Sequence, residues 1–375
     1  MTVAASERAA LLPVYARQDV TFVAGEGSWL IDAGGKRYLD LLAGIAVVGL
    51  GHCHPGPLAA AQAQLERLWH VSNLFWTEPM QDLARLLSER FGGAQAFFCN
   101  SGAEAVEAAL KWARKATGRT ELVALEGSFH GRTAGALSVT GQPSKRAAFE
   151  PLLAGVAFAR PNDVESLRAA ATADTGLILL EPILGEGGVV PLDPAFVSEA
   201  AALAGELGAL LCIDEIQTGV GRTGTFFAYE QLDVEPDLVT LAKGLANGLP
   251  IGVLLVADSA PDGFEPGDHG STFGGNPVVC AAASAVCAAI DDELLANVLA
   301  RGEQLRAGLH DKVRGAGLLL GLELYRMAAE VVHECRERGL IVLSAGETVL
   351  RLAPPLTVTE AEVDLALSIL QEVLG

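Results

Sequence analysis

Short apolar runs that end abruptly in a polar residue constrain the fold of this chain most strongly. The run 209–213 is followed by Asp214, and the segment 237–242 is followed by Lys243. Both have the length and continuous apolar character of strands that are buried on both faces of a parallel sheet. Because open α/β sheets hold ligands at the carboxyl ends of such strands, Asp214 and Lys243 are predicted to meet at one edge.

An acid and a lysine placed in this way suit an enzyme that uses pyridoxal 5'-phosphate. The lysine can form a Schiff base with the cofactor, and the carboxylate can pair with the protonated pyridine nitrogen. A single lysine after an apolar strand is more often part of the solvated surface. The interpretation therefore depends on further motifs.

Charge and composition restrict the class of protein. The 375 residues carry 46 acidic and 26 basic side chains, a net charge of −20, which argues against nucleic acid or an anionic membrane as partner. Half of the residues are apolar, enough for a large core divided into a major and a minor domain. Acidic substrates would be repelled by the overall field, so individual arginines must attract them at short range.

The cysteines and the apolar segments predict a cytoplasmic protein. The 6 cysteines lack metal-like spacing and are typical of reduced, buried thiols. The N-terminal segment is too charged for a signal peptide, and the longest apolar stretch, about 277–290, is too short to span a bilayer. That stretch is instead predicted to be a core helix.

Alternation of strands and helices predicts an α/β fold with three segments. Residues 1–50 form an N-terminal arm with a hairpin around 33–35, residues 51–289 a large domain, and residues 290–375 a smaller α+β domain. The large domain should contain a mostly parallel sheet covered by helices. Its predicted strands are 96–99, 121–125, 176–180, 209–213, 238–241 and 251–256.

A phosphate site is predicted where a short strand leads into a helix at Ser101, Gly102 and Ala103. Backbone amides, a hydroxyl and the positive end of the helix dipole would face an anion there. An ordinary helix cap is the alternative, and it is the commoner explanation of such a segment taken alone.

Seven motifs in order resemble the class III (ω-amino) aminotransferases, which are fold-type I pyridoxal phosphate enzymes. The resemblance extends from about residue 10 to the C-terminus and is nearest to the acetylornithine branch. The motifs are 100–105 (NSGAEA), 129–132 (FHGR), 181–188 (EPILGEGG), 214–224 (DEIQTGVGRTG), 243–244 (KG), 269–277 (HGSTFGGNP) and 351–356 (RLAPPL).

The resemblance implies a role for each cofactor-binding residue. Lys243 would be the Schiff-base lysine and proton-transfer base, and Asp214 would pair with the pyridine nitrogen. The other cofactor contacts would be Phe129 stacked on the ring, Gln217 near its 3-oxygen, Ser101, Gly102 and Ala103 around the phosphate, and Thr272 reaching the phosphate of a neighbouring subunit. The last assignment implies a homodimer with shared active sites.

Two arginines would hold the substrates. The resemblance assigns Arg351 to the α-carboxylate of glutamate or 2-oxoglutarate and Arg132 to the distal carboxylate. An ω-amino donor has no carboxylate beside its reacting amine, so Arg351 must then be neutralised, and Glu186 is the implied partner. Each guanidinium offers a rigid fork that fits a carboxylate.

Two other patterns have weaker interpretations. His52 and His54 lie two residues apart without further clustered ligands, so no metal site is predicted. The glycines of 219–224 resemble a nucleotide fingerprint but do not open a helix directly after a strand, which argues against a Rossmann site.

Two segments indicate which amine is the amino donor. Residues 71–76 resemble the acetylornithine branch, and residues 44–46 lack the aromatic that ornithine aminotransferases usually carry there. The resemblance implies an N2-acetylornithine:2-oxoglutarate 5-aminotransferase of arginine biosynthesis, giving N-acetylglutamate 5-semialdehyde and glutamate by a ping-pong mechanism. Ornithine, 4-aminobutyrate, succinylornithine and acyl-lysine stay open as donors. An aminomutase, a dehydrogenase and a non-enzymatic scaffold are the rivals from other classes.

Overall fold

The computed structural model describes residues 10–309 and 312–375; residues 1–9 of the predicted arm and residues 310–311 lie outside them. The strands are β1 (Phe22–Glu26), β2 (Trp29–Asp32), β3 (Arg37–Asp40), β4 (Ala94–Cys99), β5 (Glu121–Leu125), β6 (Val156–Ala159), β7 (Thr175–Leu180), β8 (Ile183–Leu184), β9 (Val190–Pro191), β10 (Leu210–Asp214), β11 (Leu238–Leu241), β12 (Gly252–Ala257), β13 (Val313–Ala316), β14 (Leu319–Glu323), β15 (Leu340–Ile341), β16 (Leu343–Ser344) and β17 (Val349–Leu352).

The longer elements between the strands are right-handed helices. They are α1 (Pro55–Leu65), α2 (Glu78–Phe91), α3 (Gly102–Thr117), α4 (Ala134–Ser138), α5 (Pro143–Arg146), α6 (Val164–Ala170), α7 (Pro194–Leu207), α8 (Pro277–Ala289), α9 (Asp292–Leu309), α10 (Ala328–Glu337) and α11 (Glu360–Leu374). Short 3₁₀ helices cover Ala147–Phe149, Ala228–Gln231 and Lys243–Ala246, and a single unusual turn covers Ala43–Ala46.

The central sheet has seven strands in the order β4-β12-β11-β10-β7-β5-β6. Strand β12 is antiparallel to β11 and β4, and the other neighbouring pairs are parallel. The predicted mostly parallel α/β sheet is therefore confirmed. The edge strand β6 was not predicted, because its four residues include two alanines and are mostly half-buried, which gives only a weak strand signal.

Alternate residues of the central strands fill two separate cores, one on each face of the sheet. In β7, Leu177 and Leu179 belong to the cluster under α3, whereas Ile178 and Leu180 belong to the larger cluster on the opposite face. This alternation follows from the two-residue period of a strand. A continuous apolar run therefore serves a sheet that is covered by helices on both sides.

The two ends of the chain meet in a second sheet, with the order β1-β2-β3-β15. The predicted hairpin is present as the antiparallel pair β2 and β3, and β15 joins β3 in parallel. Strand β1 was not predicted, because its side chains are mostly exposed and it contains a glycine. A third sheet has the order β13-β14-β17-β16 and carries Arg351 on β17. Division of the chain at residues 50 and 290 stays a prediction.

The sequence explains how α11 begins and why α8 is buried. A capping box begins α11: the side chains of Thr359 and Glu362 accept hydrogen bonds from each other's backbone amides. The alanine-rich stretch forms α8, which packs against α1 and α2. Within residues 10–309 and 312–375, no helix combines the length and apolar character needed to cross a membrane.

Candidate active site

The carboxyl ends of β10 and β11 bring the predicted acid and lysine into one cavity. Asp214 pairs in register with Thr240, and the chain continues from β11 into the turn that begins at Lys243. The cavity has a volume of about 430 Å³, within the range of small-molecule sites. Its lining includes Asn100, Ser101, Gly102, Ala103, Phe129, His130, Arg132, Glu181, Glu186, Asp214, Gln217 and Lys243.

Asp214 is buried and held in a fixed orientation by His130. Its Oδ2 lies 2.7 Å from His130 Nδ1, and its Oδ1 accepts the Ile216 N–H at 3.0 Å. Burial alone would lower the pKa of His130, but the hydrogen bond and the charge of Asp214 outweigh it, so this pKa is raised. A carboxylate only accepts hydrogen bonds, so His130 Nδ1 carries the proton and donates to Asp214 Oδ2.

His130 is a site residue whose role sequence reasoning missed. It stands inside the FHGR motif, yet only Phe129 and Arg132 of that motif received roles. Its other ring nitrogen, Nε2, is buried without a hydrogen-bond partner in the described part of the chain. The position of a histidine beside Asp214 depends on the packing of the loop after β5 against the end of β10, which no local pattern indicates.

Lys243 is deep in the cavity and poised to lose its proton. Burial lowers the pKa of its amine to about 8, although the charge of Glu186 acts in the opposite direction. The backbone φ of Lys243 is +30°, in the region that residues with a Cβ avoid. A neutral lysine amine can serve both as a nucleophile and as a base.

The start of α3 forms one wall of the cavity. Ser101 caps the helix by accepting the Glu104 N–H at 3.3 Å, and Glu104 in turn accepts the Asn100 N–H at 2.8 Å. A Cβ atom at Gly102 would lie only 2.7 Å from Cδ1 of Ile216, so a larger residue there would displace the Ile216 side chain. Ser101, Gly102 and Ala103 line the cavity at the start of this helix, and their assignment to a phosphate stays a prediction.

Phe129 is oriented through its backbone by a buried carboxyl group. Its N–H donates to Glu181 Oε1 at 2.8 Å, and the Gly185 N–H lies 3.4 Å from Glu181 Oε2. Burial raises the pKa of Glu181 to about 7, with partial compensation by His130. Glu181 lies in the quoted EPILGEGG motif, but its part in supporting Phe129 was also missed.

Arg351 is fully buried and paired with Glu186. Its Nη1 contacts Glu186 Oε1 at short range, donates to the Gly185 carbonyl at 3.1 Å and lies 3.5 Å from Gln217 Oε1. Burial alone would raise the pKa of Glu186, but Arg351 outweighs burial and holds it below its usual value. The Nε and Nη2 atoms of Arg351 have no hydrogen-bond partner among the described residues, so the fork retains unused donors.

Arg132 differs from Arg351 in being exposed. Its guanidinium lies 5.5 Å from the ring centre of Phe129, and within the described ranges no carboxylate is at ion-pair distance from it. Lys145 Nζ lies 5.0 Å from the same ring centre. Burial lowers the pKa of Lys145, while the charge of Glu186 raises it. This cation was not singled out from the sequence.

Thr272 does not line this cavity. It is exposed, and the neighbouring Ser271 binds Asn100, with Oγ 3.1 Å from Nδ2. Its assignment to a neighbouring subunit stays a prediction.

His52, His54 and the glycine-rich segment 219–224 make hydrogen bonds that hold neighbouring segments of the fold together. His52 Nε2 lies 2.8 Å from Asp40 Oδ2, and His54 Nδ1 accepts the Gly56 N–H at 3.2 Å. Arg222 of the glycine-rich segment is buried and donates to the carbonyls of Leu318 and Pro354. This arginine therefore joins the loop after β10 to the segment before β14 and the one after β17.

Comparisons with known proteins agree with this geometry. A family model described as aminotransferase class-III matches residues 14–374. The acetylornithine aminotransferase of Archaeoglobus fulgidus is 46% identical over 368 residues, covering 97% of this chain and 98% of that protein. The one of Halalkalibacterium halodurans is 48% identical over 374 residues, covering 97% of each.

Solved structures give the same family. The ornithine aminotransferase of Toxoplasma gondii matches with a TM-score of 0.94 and 32% identity, covering 99% of this chain and 93% of that one. The N-acetylornithine aminotransferase of Stenotrophomonas maltophilia matches with a TM-score of 0.82 and 37% identity, covering 96% of each chain. The chain therefore belongs to the class III aminotransferases, a family of pyridoxal phosphate enzymes with the fold-type I architecture.

Proposed function

We propose that this aminotransferase moves the 5-amino group of N2-acetylornithine to 2-oxoglutarate. The products would be N-acetylglutamate 5-semialdehyde and glutamate, which places the reaction in arginine biosynthesis. The observation that carries the proposal is the contrast between the buried Arg351, paired with Glu186, and the exposed Arg132. The full-length identity of 43–48% with several acetylornithine aminotransferases supports it.

The residues around the cavity fit pyridoxal phosphate. Ser101, Gly102 and Ala103 would hold the phosphate at the start of α3, and Phe129 would pack on the ring. Asp214 would accept a hydrogen bond from the ring nitrogen, and Gln217 would lie near the 3-oxygen. When bound, the cofactor supplies a carbonyl carbon that accepts amines and a ring that withdraws electrons.

Lys243 would carry out the proton transfer. As a neutral amine above about pH 8, its Nζ can take a proton from the carbon that bears the reacting amine. Asp214, oriented by its hydrogen bond with His130, would favour the protonated form of the cofactor ring throughout the cycle. Asp214 is buried away from water, which strengthens its electrostatic interactions.

The two arginines would allow one cavity to accept two unlike substrates. With acetylornithine, Arg132 would bind the α-carboxylate while Glu186 keeps Arg351 neutralised. With 2-oxoglutarate or glutamate, the α-carboxylate would displace Glu186 and use the free donors of Arg351, and Arg132 would hold the distal carboxylate.

We also propose a cytoplasmic homodimer in which Thr272 reaches the neighbouring active site. The surface around this residue is unusually apolar for exposed side chains: Leu74 is 86% exposed, Trp76 80% and Phe273 62%. Large exposed apolar patches mark interaction surfaces, and a second copy of the chain is the occupant that the Thr272 assignment implies.

The donor is tested by following the absorbance of the bound cofactor as each amine is added without an acceptor. Acetylornithine is expected to convert the cofactor at a far lower concentration than ornithine, 4-aminobutyrate, succinylornithine or acetyl-lysine. Preference for any of these rivals would overturn the assigned donor but leave the aminotransferase chemistry intact.

A further inference from the structure

The loop after β3 contains one turn of left-handed helix beside the active site. All four residues of Ala43–Ala46 have φ between 49° and 67°. The amides of Ala46 and Val47 donate to the carbonyls four residues earlier, at 2.9 and 2.8 Å. Of the four, only Gly44 lacks a Cβ atom. The other three residues therefore hold a conformation in which Cβ crowds the following carbonyl oxygen.

A buried acid and a histidine hold the beginning of this turn. Asp40 Oδ1 accepts the N–H groups of Leu42 and Ala43, both at 2.9 Å, and Asp40 Oδ2 lies 2.8 Å from His52 Nε2. The Asp40 side chain is only 2% exposed. These bonds fix the direction in which the chain enters the left-handed turn.

Asn247 connects the end of the loop after β3, at Leu50 and Gly51, to the 3₁₀ helix Lys243–Ala246, which we call the lysine turn. It directly follows the 3₁₀ helix that begins at Lys243, and its Oδ1 accepts the Leu50 N–H at 2.8 Å. Its Nδ2 donates to the Gly51 carbonyl at 2.9 Å. With φ at +48°, Asn247 is itself in the left-handed region. One side chain thus joins the loop 43–51 to the backbone of the catalytic lysine.

The turn lies between the two functional ends of the cavity. Ala46 packs in one apolar cluster with Val349 and Ala353, which flank Arg351 along the chain. On the other side, a Cβ atom built on Gly244 would lie 3.7 Å from the Ala46 carbonyl oxygen. Val47, directly after the turn, lines the cavity. The left-handed turn Ala43–Ala46 therefore lies between the lysine turn and β17, the strand that carries Arg351.

We propose that Asp40, His52 and Asn247 are positioning residues for transamination. They keep the Ala43–Ala46 turn left-handed, and the turn fixes Lys243 relative to Arg351 and to the wall at Val47. Backbone strain of this kind persists only where surrounding contacts impose it, and it is concentrated at functional sites. The inference requires an aminotransferase of this family but does not depend on which amine is the donor.

The first test replaces Asn247 with glycine, which removes both hydrogen bonds yet tolerates the positive φ. Asn162→Gly is the matched control. Asn162 also has a positive φ, its Nδ2 donates to the Pro191 carbonyl, and its Oδ1 accepts the Asp193 N–H. We expect kcat of Asn247→Gly to fall by about tenfold or more, since displacing a reacting group by about 1 Å costs up to about a hundredfold. The control should stay within about twofold of the wild type.

Hydrogen exchange in the cofactor-free protein separates positioning from general stability. The amides of Val47, Val48 and Leu50 should exchange faster in Asn247→Gly and at the wild-type rate in Asn162→Gly. A purely structural role of Asn247 would lower the Tm and leave kcat of the folded enzyme unchanged. That result, or a fall in kcat without faster exchange in this loop, would overturn the proposal.

Two further sets of variants test the backbone strain of the Ala43–Ala46 turn and the Asp40–His52 contact (the brace) separately. Ala43→Gly relieves one strained position, so Asn247→Gly combined with Ala43→Gly should regain part of the lost kcat; no recovery would contradict the proposal. His52→Gln can still donate to Asp40, whereas His52→Ala cannot. We expect kcat of His52→Gln to exceed that of His52→Ala severalfold, and equal values would remove His52 from the brace.

Discussion

The inner and outer halves of the active site differ in where their residues lie and in which substrates they are proposed to contact. The inner half consists of Asp214 and His130, which are buried, and Lys243, which is half-buried; these residues lie at strand ends of the central sheet and in the loops beside them. The outer half contains Arg132, which is exposed, and Arg351, which is fully buried and paired with Glu186. Under the proposed function, the inner half would act on every substrate alike, whereas the outer half would distinguish substrates by their carboxylates. Variants in the two halves should therefore differ in kind as well as in size.

The largest effect is expected from Lys243→Ala. Loss of the amine that attacks and moves protons should lower turnover at least about 10⁴-fold with every donor and acceptor. Single-turnover measurements of both half-reactions check this, with Lys312→Ala, whose lysine lies over the surface-exposed Tyr325 ring, as the control. Covalent fixation of the cofactor by borohydride in Lys243→Ala would contradict the assignment.

Asp214→Asn should also impair both half-reactions equally. Without the negative charge, the ring nitrogen loses its partner and His130 loses the interaction that raises its pKa. We expect each half-reaction to slow by about 10²- to 10³-fold, the usual range for removing one preorganised electrostatic group. Asp237→Asn, at the opposite end of β11, is the control. Equal rates for Asp214→Asn and the wild type would remove Asp214 from its role.

The strands of the inner half could be predicted because local sequence encodes them. The runs before Asp214 and Lys243 match β10 and β11 closely, since continuous apolar character is what a doubly covered strand requires. The left-handed turn Ala43–Ala46 could not be predicted: three of its four residues are not glycine, and tertiary contacts override their backbone preference. The pairing of His130 with Asp214, 84 positions apart, likewise exists only once the fold has formed.

The outer half was predicted from the family resemblance rather than from periodicity. No local pattern links Glu186 with Arg351, which are 165 positions apart, yet the structure pairs them as the resemblance implied. Lys145 was overlooked because a lysine in a four-residue helix has an ordinary surface pattern. Its approach to Phe129 arises from the fold of the loop between β5 and β6.

Arg132→Gln should weaken carboxylate binding without changing the proton-transfer step. Loss of a charged hydrogen bond costs about 1.5–3 kcal/mol, so KM should rise by about 10- to 150-fold. Acetylornithine and 2-oxoglutarate should both be affected, because Arg132 is proposed to hold a carboxylate of each. Steady-state kinetics at saturating co-substrate measure both constants. A lowered kcat with unchanged KM would place Arg132 in the inner half.

The pKa of Lys243 provides a test that needs no substrate. In the cofactor-free protein, the neutral amine fraction rises about tenfold per pH unit below the pKa and levels off above it. With that pKa near 8, the rate at which Lys243 captures pyridoxal phosphate should level off near pH 8. A free lysine derivative, measured in parallel, should keep gaining rate up to about pH 10. Identical profiles would show that burial does not lower this pKa.

Glu186→Gln should have the smallest effect on total activity and the most selective one. The amide cannot neutralise Arg351, so substrates with an α-carboxylate at the reacting end should bind better, and the donor without one should bind worse. We expect the ratio of kcat/KM for glutamate to that for acetylornithine to rise by about tenfold, which corresponds to about 1.4 kcal/mol. Glu323→Gln, in the Arg314–Glu323 pair of the same sheet, is the control. An unchanged ratio in Glu186→Gln would mean that Arg351 discriminates without its partner, and the contrast between the two halves would then rest on Arg132 alone.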